Sequence, residues 1–511
     1  MTWKRFGAAR AALAMVLAAG VLFADVDTSR AATFVVTNPN DSGPGSLREA
    51  IVQANSTPGF DTILFDIAIP TNTDQEPDQS VTILLESELP PITDRVVIDA
   101  TTEQPGYAEV GRPVVEVRGQ LGFVSDVEMP VMDGLVFDAG SGLSTVQGLS
   151  FTQFAQAIVL LSDDNSVRLN WVGLGADEVS RPNITGIRVE GGGNTIGRGN
   201  VIVHNEEDGV SITGTNNVVV GNLIGIDHED SPAGNETGVY MGITAGNNRI
   251  GGADPLDRNV ISDNDTGVYS DSTTVQNVIL GNYIGTDSSG TTAMGNGTGI
   301  ELDDSPATIG GTTPGARNLI SGNFFAGFGA TGIEVFNSSG TVIQGNFIGT
   351  DATGTQRLGN SGGIVIQGGS NYLIGGTEPG AGNVISGNGV PSEGFIFENG
   401  IEVSDVTGLT VQGNIIGATA SGDVALPNRV GVELDFTLDV LIGGGEPGAA
   451  NVISGNIEDG IQDRGTDTRI EGNFLGVTRN GAPLGNQGSG VRIEGVPTPV
   501  LTDVGEGGFT P

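Results

Sequence analysis

The sequence predicts an all-β fold: a right-handed parallel β-helix solenoid with a short amino-terminal capping helix. Three observations favour this class, namely a short strand motif that recurs along the chain, an abundance of turn residues, and the lack of helical periodicity in the repeats. The 511 residues include 84 Gly, no Cys and only 5% aromatic residues. Such a chain lacks disulfides and large aromatic cores, so we expect regular backbone pairing and stacked side chains to stabilise it.

The repeat begins with a Gly that is followed by Ile or Val. Steps between successive glycines run from 23 to 37 residues, and the glycines are Gly186, Gly209, Gly238, Gly267, Gly299, Gly332, Gly363, Gly400, Gly431, Gly460 and Gly490. A longer period is superimposed, because NVISDN at 259, NLISGN at 318 and NVISGN at 383 and 451 alternate with GNYIGTD at 281, GNFIGTD at 345, GNIIGAT at 413 and GNFLGVT at 472. We therefore predict two alternating coil types.

Each coil contains about three strands of three to five residues, separated by Gly, Asn, Asp and Pro. One coil reads GVYM at 238, NRIGG at 248 and NVIS at 259. Strands this short do not build a sandwich, and the Leu-rich consensus of leucine-rich repeats is absent. The architecture that is left is a solenoid of stacked parallel strands around a core of Ile, Val and Leu.

Asparagines recur in the Gly-Asn pairs, where a coil must bend between strands. We expect them to be structural, to adopt the left-handed conformation and to stack from coil to coil through their amides. They are Asn222, Asn282, Asn346, Asn414 and Asn473.

The first 31 residues have the features of a cleaved signal peptide: basic residues, an apolar run from 11 to 23, and small residues before a cleavage site after Ala31. Its removal changes the formal net charge from −40 to −42 and leaves no Lys. Such acidity excludes nucleic acid and anionic surfaces as partners unless a cation bridges them. No later stretch is long and apolar enough to span a membrane.

The sequence predicts four parts. Residues 1–31 are the signal peptide, 32–130 the amino-terminal cap and first coils, 131–495 the β-helix repeats, and 496–511 a carboxy-terminal tail. Within the cap, Ser46 and Glu49 have capping-box spacing, and Leu47, Ala50, Ile51 and Ala54 share one face of a predicted short helix. We expect this helix to cover the open end of the solenoid.

The segment TFVVTNPNDSGPGSLREAIVQAN, followed by FDTILFDI, VTILLESELPPIT and VVIDATTEQPGY, resembles the amino-terminal region of bacterial CSLREA-type parallel β-helix repeat proteins. The IGTD, IGG, PG and NVISGN repeats extend the resemblance over nearly the whole mature chain. Gly45 stands where the family motif has Cys. The resemblance implies an exported or surface-associated repeat protein and supplies no catalytic residues.

Candidate site residues come from the second position after each repeat glycine, which should face solvent because strand residues alternate. This row reads Arg188, Ser211, Tyr240, Tyr269, Glu301, Glu334, Val365, Glu402, Glu433, Gln462 and Arg492. Glu301, Glu334, Glu402 and Glu433 are the candidate catalytic residues, whereas Tyr240, Tyr269, Asp303 and Asp435 are the candidate ligand-binding residues. Paired carboxylates on adjacent strands have three alternative interpretations: an acid/base pair, a cation site at Glu301 and Glu334, or an ordinary solvated face.

Other chemical signals are weak. His204 and His228 are the two histidines and lie at unrelated repeat positions. Asp287 and Asp351 precede a Gly by three residues, as in a calcium loop, but a type I turn also explains this spacing. Elimination from uronates requires a basic residue near acidic groups, and Arg188 and Arg492 lie at opposite ends of the row.

The first functional hypothesis is a secreted or cell-surface scaffold, adhesin or glycan-binding surface. The alternative is a polysaccharide-active enzyme, a lyase, hydrolase or epimerase, that uses the outward carboxylates. Expected partners are a neutral polysaccharide or a cell-surface component, with no nucleic acid and no membrane span in the mature chain. The chain is expected to be a monomer, and calcium is the cofactor that the acidic row leaves open.

Overall fold

The structure is a computed structural model that describes residues 31–68, 80–103, 107, 111–120, 132–324, 331–389 and 399–494. The predicted signal peptide, apart from Ala31, lies outside the described residues. So do the predicted boundary between residues 130 and 131 and the predicted tail at 496–511.

The chain winds as a parallel β-helix, as predicted, and its strands form three rows that it visits in a fixed order. In the described residues the first row consists of Leu135–Phe137, Gln156–Leu160, Thr185–Val189, Asp208–Ile212, Thr237–Met241, Thr266–Asp271, Thr298–Asp303, Thr331–Phe336, Gly362–Gln367, Ile401–Ser404, Val432–Gly443, Ile461–Glu471 and Val491–Ile493. Strands of neighbouring coils pair in parallel throughout the row.

The second row consists of Thr33–Val36, Asp61–Phe65, Val96–Asp99, Thr145–Gln147, Ser166–Arg168, Thr195–Ile196, Val218–Val219, Arg249–Gly251, Asn277–Leu280, Ala307–Gly310, Val342–Gln344, Ser370–Gly375 and Thr407–Gln412. It continues into the second halves of Val432–Gly443 and Ile461–Glu471, which therefore belong to both rows. The first two rows thus join into one sheet.

The third row forms a separate sheet. Its strands are Val81–Leu84, Val115–Arg118, Leu149–Thr152, Trp171–Val172, Val201–Ile202, Leu223–Ile224, Val260–Ile261, Tyr283–Ile284, Leu319–Ile320, Phe347–Ile348, Val384–Ile385, Ile415–Ile416, Val452–Ile453 and Phe474–Leu475. Short 3-10 helices at Pro255–Asp257 and Pro314–Ala316 precede two of these strands.

The two predicted coil types alternate within this third row. Val260 of an NVIS strand pairs with Tyr283 of an IGTD strand, which in turn pairs with Leu319 of the next NLIS strand. Inward Ile, Val and Leu side chains from all three rows form one continuous core that runs from Val36 to Ile461. Hydrophobic burial along this axis replaces the single compact core of a globular domain.

Asparagines stack at all three corners of the solenoid. A shorter ladder between the first and second rows contains Asn165, Asn194, Asn217, Asn248 and Asn277. The ladder between the second and third rows contains all five predicted asparagines, and its members are Asn170, Asn200, Asn222, Asn259, Asn282, Asn318, Asn346, Asn383, Asn414, Asn451 and Asn473. Between the third and first rows another ladder contains Asn183, Asn205, Asn235, Asn264, Asn296, Asn323, Asn360, Asn388, Asn428, Asn456 and Asn486. The stacking prediction is confirmed.

The predicted left-handed conformation of these asparagines is wrong. In the Gly-Asn pairs the glycine takes it instead, with φ of 68° at Gly221 and 73° at Gly281. The Asn side chain then lies inside the coil, where its Nδ2 donates to a main-chain carbonyl and to the next amide. Glycine has no steric penalty at positive φ, so the chain bends at the glycine. The following Asn is then free to form the hydrogen bonds between coils.

The predicted capping helix is confirmed as Leu47–Ser56. The Ser46 hydroxyl accepts a hydrogen bond from the Glu49 N–H, and the buried face consists of Leu47, Ala50, Ile51 and Ala54, as expected. The reciprocal half of the capping box is absent, because the Ser46 N–H donates to the Gly43 carbonyl. The helix lies between the first two strands of the second row and contributes its buried face to the common core.

Candidate functional site

The predicted outward row occupies consecutive positions on the first row of strands. Strand pairing places Arg188 beside Ser211 and then continues without a register slip through Tyr240, Tyr269, Glu301, Glu334, Val365, Glu402, Glu433, Gln462 and Arg492. Neighbours along the row are therefore one strand spacing apart, about 4.8 Å. Tyr240, Tyr269, Glu301 and Glu334 form an uninterrupted group of four.

A second column of outward residues runs beside this row because the repeat glycine faces inward. A Cβ at Gly238 would lie 2.6 Å from the Gly267 carbonyl oxygen and 2.9 Å from the buried Ile261 side chain. The residue before the glycine is thereby directed outward, as shown by Thr331, whose Oγ1 lies 3.5 Å from Glu334 Oε2. Members of this column are Asp208, Thr237, Thr266, Thr298 and Thr331.

The two tyrosines form an aromatic platform at the start of the group. Their ring centroids are 5.7 Å apart and the rings are tilted by 50°. Tyr240 Oη lies 3.5 Å from Asp271 Oδ2. Burial, followed by the nearby Asp271, raises the pKa of Tyr269 to about 12, so both phenols stay neutral and can donate hydrogen bonds at physiological pH.

Glu301 and Glu334 follow the tyrosines and are half-buried. Burial, followed by the charge of Glu301, raises the pKa of Glu334 to about 7. Burial and Asp303 also raise the pKa of Glu301. Within the described residues no Arg or His forms an ion pair with either carboxylate. The pair therefore contains one carboxyl, that of Glu334, that is partly protonated at neutral pH beside a second carboxyl whose charge disfavours its ionisation.

Asp303 lies in a third outward column, beside Asp271 on the preceding strand and Phe336 on the following one. Burial, followed by Asp304 and Asp271, raises the pKa of Asp303. Asp303 thus lies on the same face as Glu301, two residues further along the same strand.

Glu402 and Glu433 form a separate patch, because the buried Val365 interrupts the row after Glu334. Asn399 Nδ2 bridges the two carboxylates, at 3.1 Å from Glu402 Oε2 and 2.6 Å from Glu433 Oε2. Burial, followed by the charge of Glu433, raises the pKa of Glu402 to about 7.

The far side of this second patch is an ion-pair network. Arg464 Nη1 lies 2.8 Å from Glu433 Oε1 and 3.2 Å from Asp435 Oδ2, and its Nε lies 2.7 Å from Glu494 Oε2. The structure therefore places Glu433 and Asp435 against a cation, in contrast to Glu301 and Glu334.

Several contributors were absent from the sequence prediction. Asp208, Thr331 and Asn399 occupy the position before the repeat glycine, whereas Asp271 and Arg464 occupy the fourth position after it. Counting outward positions on both sides of each glycine would have found all five. Burial raises the pKa of Asp208 to about 6, so this carboxyl is a further weak acid near the tyrosines.

The weaker signals are structural in this fold. The N–H of Gly290 donates to the Asp287 carbonyl and that of Gly354 to the Asp351 carbonyl, which confirms the turn interpretation. The His228 ring stacks on Trp171 at 4.9 Å between centroids. In the part of the chain that the structure describes, no three His, Asp or Glu side chains cluster as metal ligands would, and no helix is long and apolar enough to cross a membrane.

No protein-family profile matches this chain, and no curated protein matches it in sequence. Among solved structures, the catalytic domain of a GH87 α-1,3-glucanase is 11% identical, covering 91% of this chain and 68% of the glucanase domain, with a TM-score of 0.29. The Dettilon tailspike protein is 16% identical over 75% of this chain and 66% of its own, with a TM-score of 0.30. PfbA, a surface adhesin of Streptococcus pneumoniae, is 12% identical over 88% and 94%, with a TM-score of 0.30.

Proposed function

We propose that this protein is an exported repeat scaffold that binds a neutral polysaccharide along the first row of strands. The observation that carries the proposal is the unbroken group of Tyr240, Tyr269, Glu301 and Glu334, one per coil and free of cationic partners among the described residues. Aromatic rings pack against the apolar faces of sugars, and partly protonated carboxyls both donate and accept hydrogen bonds to hydroxyls. The glycan chain then runs parallel to the solenoid axis.

Charge on this face selects against acidic polysaccharides. The described first-row strands from Asp208 to Ser404 contain no Arg or Lys, whereas Asp271, Glu301 and Asp303 supply negative charge. A uronate polymer would approach carboxylates with no opposing cation, which is unfavourable at strand spacing. Neutral glucans, mannans or galactans meet no such repulsion.

The test is a binding comparison by affinity electrophoresis and calorimetry against neutral and uronic polysaccharides. We expect binding to neutral polymers alone, and a loss of at least about tenfold in the Tyr240→Ala, Tyr269→Ala double variant, since two aromatic contacts contribute on the order of 1–3 kcal/mol. Phe60→Ala, an exposed aromatic residue far from the row, is the matched control. Equal binding by wild type and the tyrosine variant would contradict the proposal.

A second function, glycoside hydrolysis, is favoured by the Glu301 and Glu334 pair. A carboxyl with a pKa of about 7 is a suitable general acid, and its neighbour one strand away is a suitable nucleophile. A carboxyl separation near 5 Å predicts retention of the anomeric configuration. Incubation with neutral polysaccharides should then release reducing ends, and Glu334→Gln should abolish the release while sparing binding. Binding without turnover in the wild type would leave the scaffold as the function.

A further inference from the structure

Among the residues that the structure describes, the outer face of the second row carries no acidic side chain over eight coils. We call it the acid-free face. Its central column consists of Thr195, Val218, Arg249, Val278, Thr308, Val342, Leu373 and Thr410. The column beside it consists of Gly197, Val220, Gly251, Leu280, Gly310, Gln344, Gly375 and Gln412.

The three long polar side chains on this face bond to carbonyls within the chain. Gln344 Nε2 donates to the Gly375 carbonyl at 2.9 Å, and Gln412 Nε2 donates to the Gly443 carbonyl at 2.8 Å. Arg249 donates to the carbonyl of Gly251 in its own strand. These three side chains lie along the sheet instead of projecting from it, so they leave the face flat.

The third row shows how this chain treats apolar residues on an outer face. Trp171, Val201 and Leu223 project outward there and pack with Leu174 and Ala233 from the loops that fold over them. The central column of the second row, by contrast, remains half-exposed from Thr195 to Thr410. A flat, half-exposed, largely apolar strip of this length is typical of an interaction surface.

We infer that the acid-free face binds the same face of a second copy of this chain. Net charge restricts where two copies can meet, because two chains of charge −40 repel wherever carboxylates approach each other, and the described residues of this face carry none. Eight coils at about 4.8 Å and four residues at about 3.3 Å give a face of about 38 by 13 Å, and two such faces bury about 1,000 Å² in total. That area suits a weak, twofold-symmetric dimer. This proposal differs from the monomer expected from the sequence.

Repulsion between carboxylates on the other faces makes the dimer dependent on salt. The screening length falls from about 30 Å at 10 mM to about 8 Å at 150 mM ionic strength, so association should strengthen as salt is added. An association held by ion pairs would weaken instead. The direction of the salt dependence therefore distinguishes association through the acid-free face from association through ion pairs such as those of Arg464.

Sedimentation velocity of the mature chain, at about 10 and about 150 mM NaCl and over a range of micromolar concentrations, tests the inference. We expect monomer at low salt, dimer at high salt, and monomer at both in Val278→Asp, Val342→Asp. The control Val179→Asp, Val424→Asp makes the same chemical change at exposed loop residues and should dimerise like the wild type. Thermal unfolding of both variants confirms that they fold.

A wild type that remains monomeric at both salt concentrations would overturn the inference. So would a folded Val278→Asp, Val342→Asp variant that still dimerises, because the contact would then lie elsewhere. Glycan binding is unaffected by either result, since the first row faces another direction.

Discussion

On the first row, the pKa of a side chain depends more on its neighbours along the solenoid axis than on its neighbours in sequence. Glu334 is surrounded in sequence by Ile333 and Val335, yet its pKa depends on burial and on Glu301 of the preceding coil. The side chains that tune a group are therefore about thirty residues away along the chain. The response of the protein to pH therefore depends on pairs of side chains that stack on adjacent coils.

Glu334 should make the folded chain less stable as the pH rises. Its folded pKa of about 7 exceeds the ordinary value of 4.5, so between these values the folded state binds more protons than the unfolded state. The free energy of unfolding therefore falls as the pH rises from 4.5 to about 7, and the penalty is absent below 4.5. We expect Glu334→Gln to gain on the order of 1–3 kcal/mol at high pH and nothing at low pH.

Urea unfolding at a series of pH values measures this difference. Glu378→Gln, which alters an exposed carboxylate on a loop, is the control and should follow the wild-type profile. A gain at Glu334→Gln that is equal at all pH values would contradict the assigned cause.

Ladder asparagines should be among the most costly residues to remove. Asn346 Nδ2 donates to the Ile309 carbonyl and to Asn383 Oδ1, and its own Oδ1 accepts from the backbone and side chain of Asn318. Asn346→Ala leaves these buried groups unpaired, and each costs about 1–3 kcal/mol. We expect a loss of at least about 3 kcal/mol in denaturant unfolding. Asn480→Ala, in an exposed turn, should change stability by less than about 0.5 kcal/mol.

At the scale of elements, the amino-terminal helix is a docked cap with its own bonds to the coil beneath it. Asn55 donates to the Pro91 carbonyl and accepts from the Thr93 N–H, while Arg48 bonds the Ser87 carbonyl and Asp41. These contacts hold Ile51 and Leu47 over the end of the core. Without them the first strands would expose both apolar side chains and unpaired backbone groups.

Removal of apolar volume from the cap should destabilise the protein from this end. Ile51 is 1% exposed, so Ile51→Ala should cost about 2–4 kcal/mol and increase aggregation on heating. Val52 lies next to it on the solvent side of the helix and is 45% exposed, which makes Val52→Ala a matched control of little effect. Equal stability of the two variants, by unfolding and light scattering, would refute the capping role.

At the scale of the whole molecule, the three rows divide the surface by chemistry. In the described part of the chain, the first row carries acids and tyrosines, and the second row carries no acid over eight coils. The third row is covered by loops that stack on one another, where the Ala352 N–H donates to the Gly290 carbonyl. A net charge of −40 is thus distributed unevenly around the solenoid axis. Folding brings these carboxylates closer together than they are in the unfolded chain.

Added salt should therefore raise the melting temperature by screening this repulsion. The hypothesis that calcium binds at Glu301 and Glu334 makes a further prediction, namely that calcium stabilises more than sodium at matched ionic strength and that Glu301→Gln, Glu334→Gln removes the excess. Thermal melts in the two salts measure both effects. Equal stabilisation by the two salts would identify screening alone.

The sequence by itself determined the coil, the register and the cap. Gly-Ile and Gly-Val recur because each coil needs an inward strand beside a tight corner, so the spacing of Gly238, Gly267 and Gly299 already places Tyr240, Tyr269 and Glu301 on adjacent strands. The apolar spacing in Leu47–Ser56 likewise predicts the buried helix face. These features depend on local patterns, which can be recognised in a sequence.

Tertiary structure alone decided which side chains are partnered and which rows are covered. Nothing in the sequence around Glu433 reveals that Arg464 forms an ion pair with it, whereas no Arg or His among the described residues does so with Glu301 or Glu334. The acid-free face could not be predicted from the sequence either, because its residues lie some thirty residues apart in the chain and have in common only that they pair on adjacent strands of the second row. Interactions along the solenoid axis join residues that are distant in the chain, so their energies depend on the fold and not on the motif.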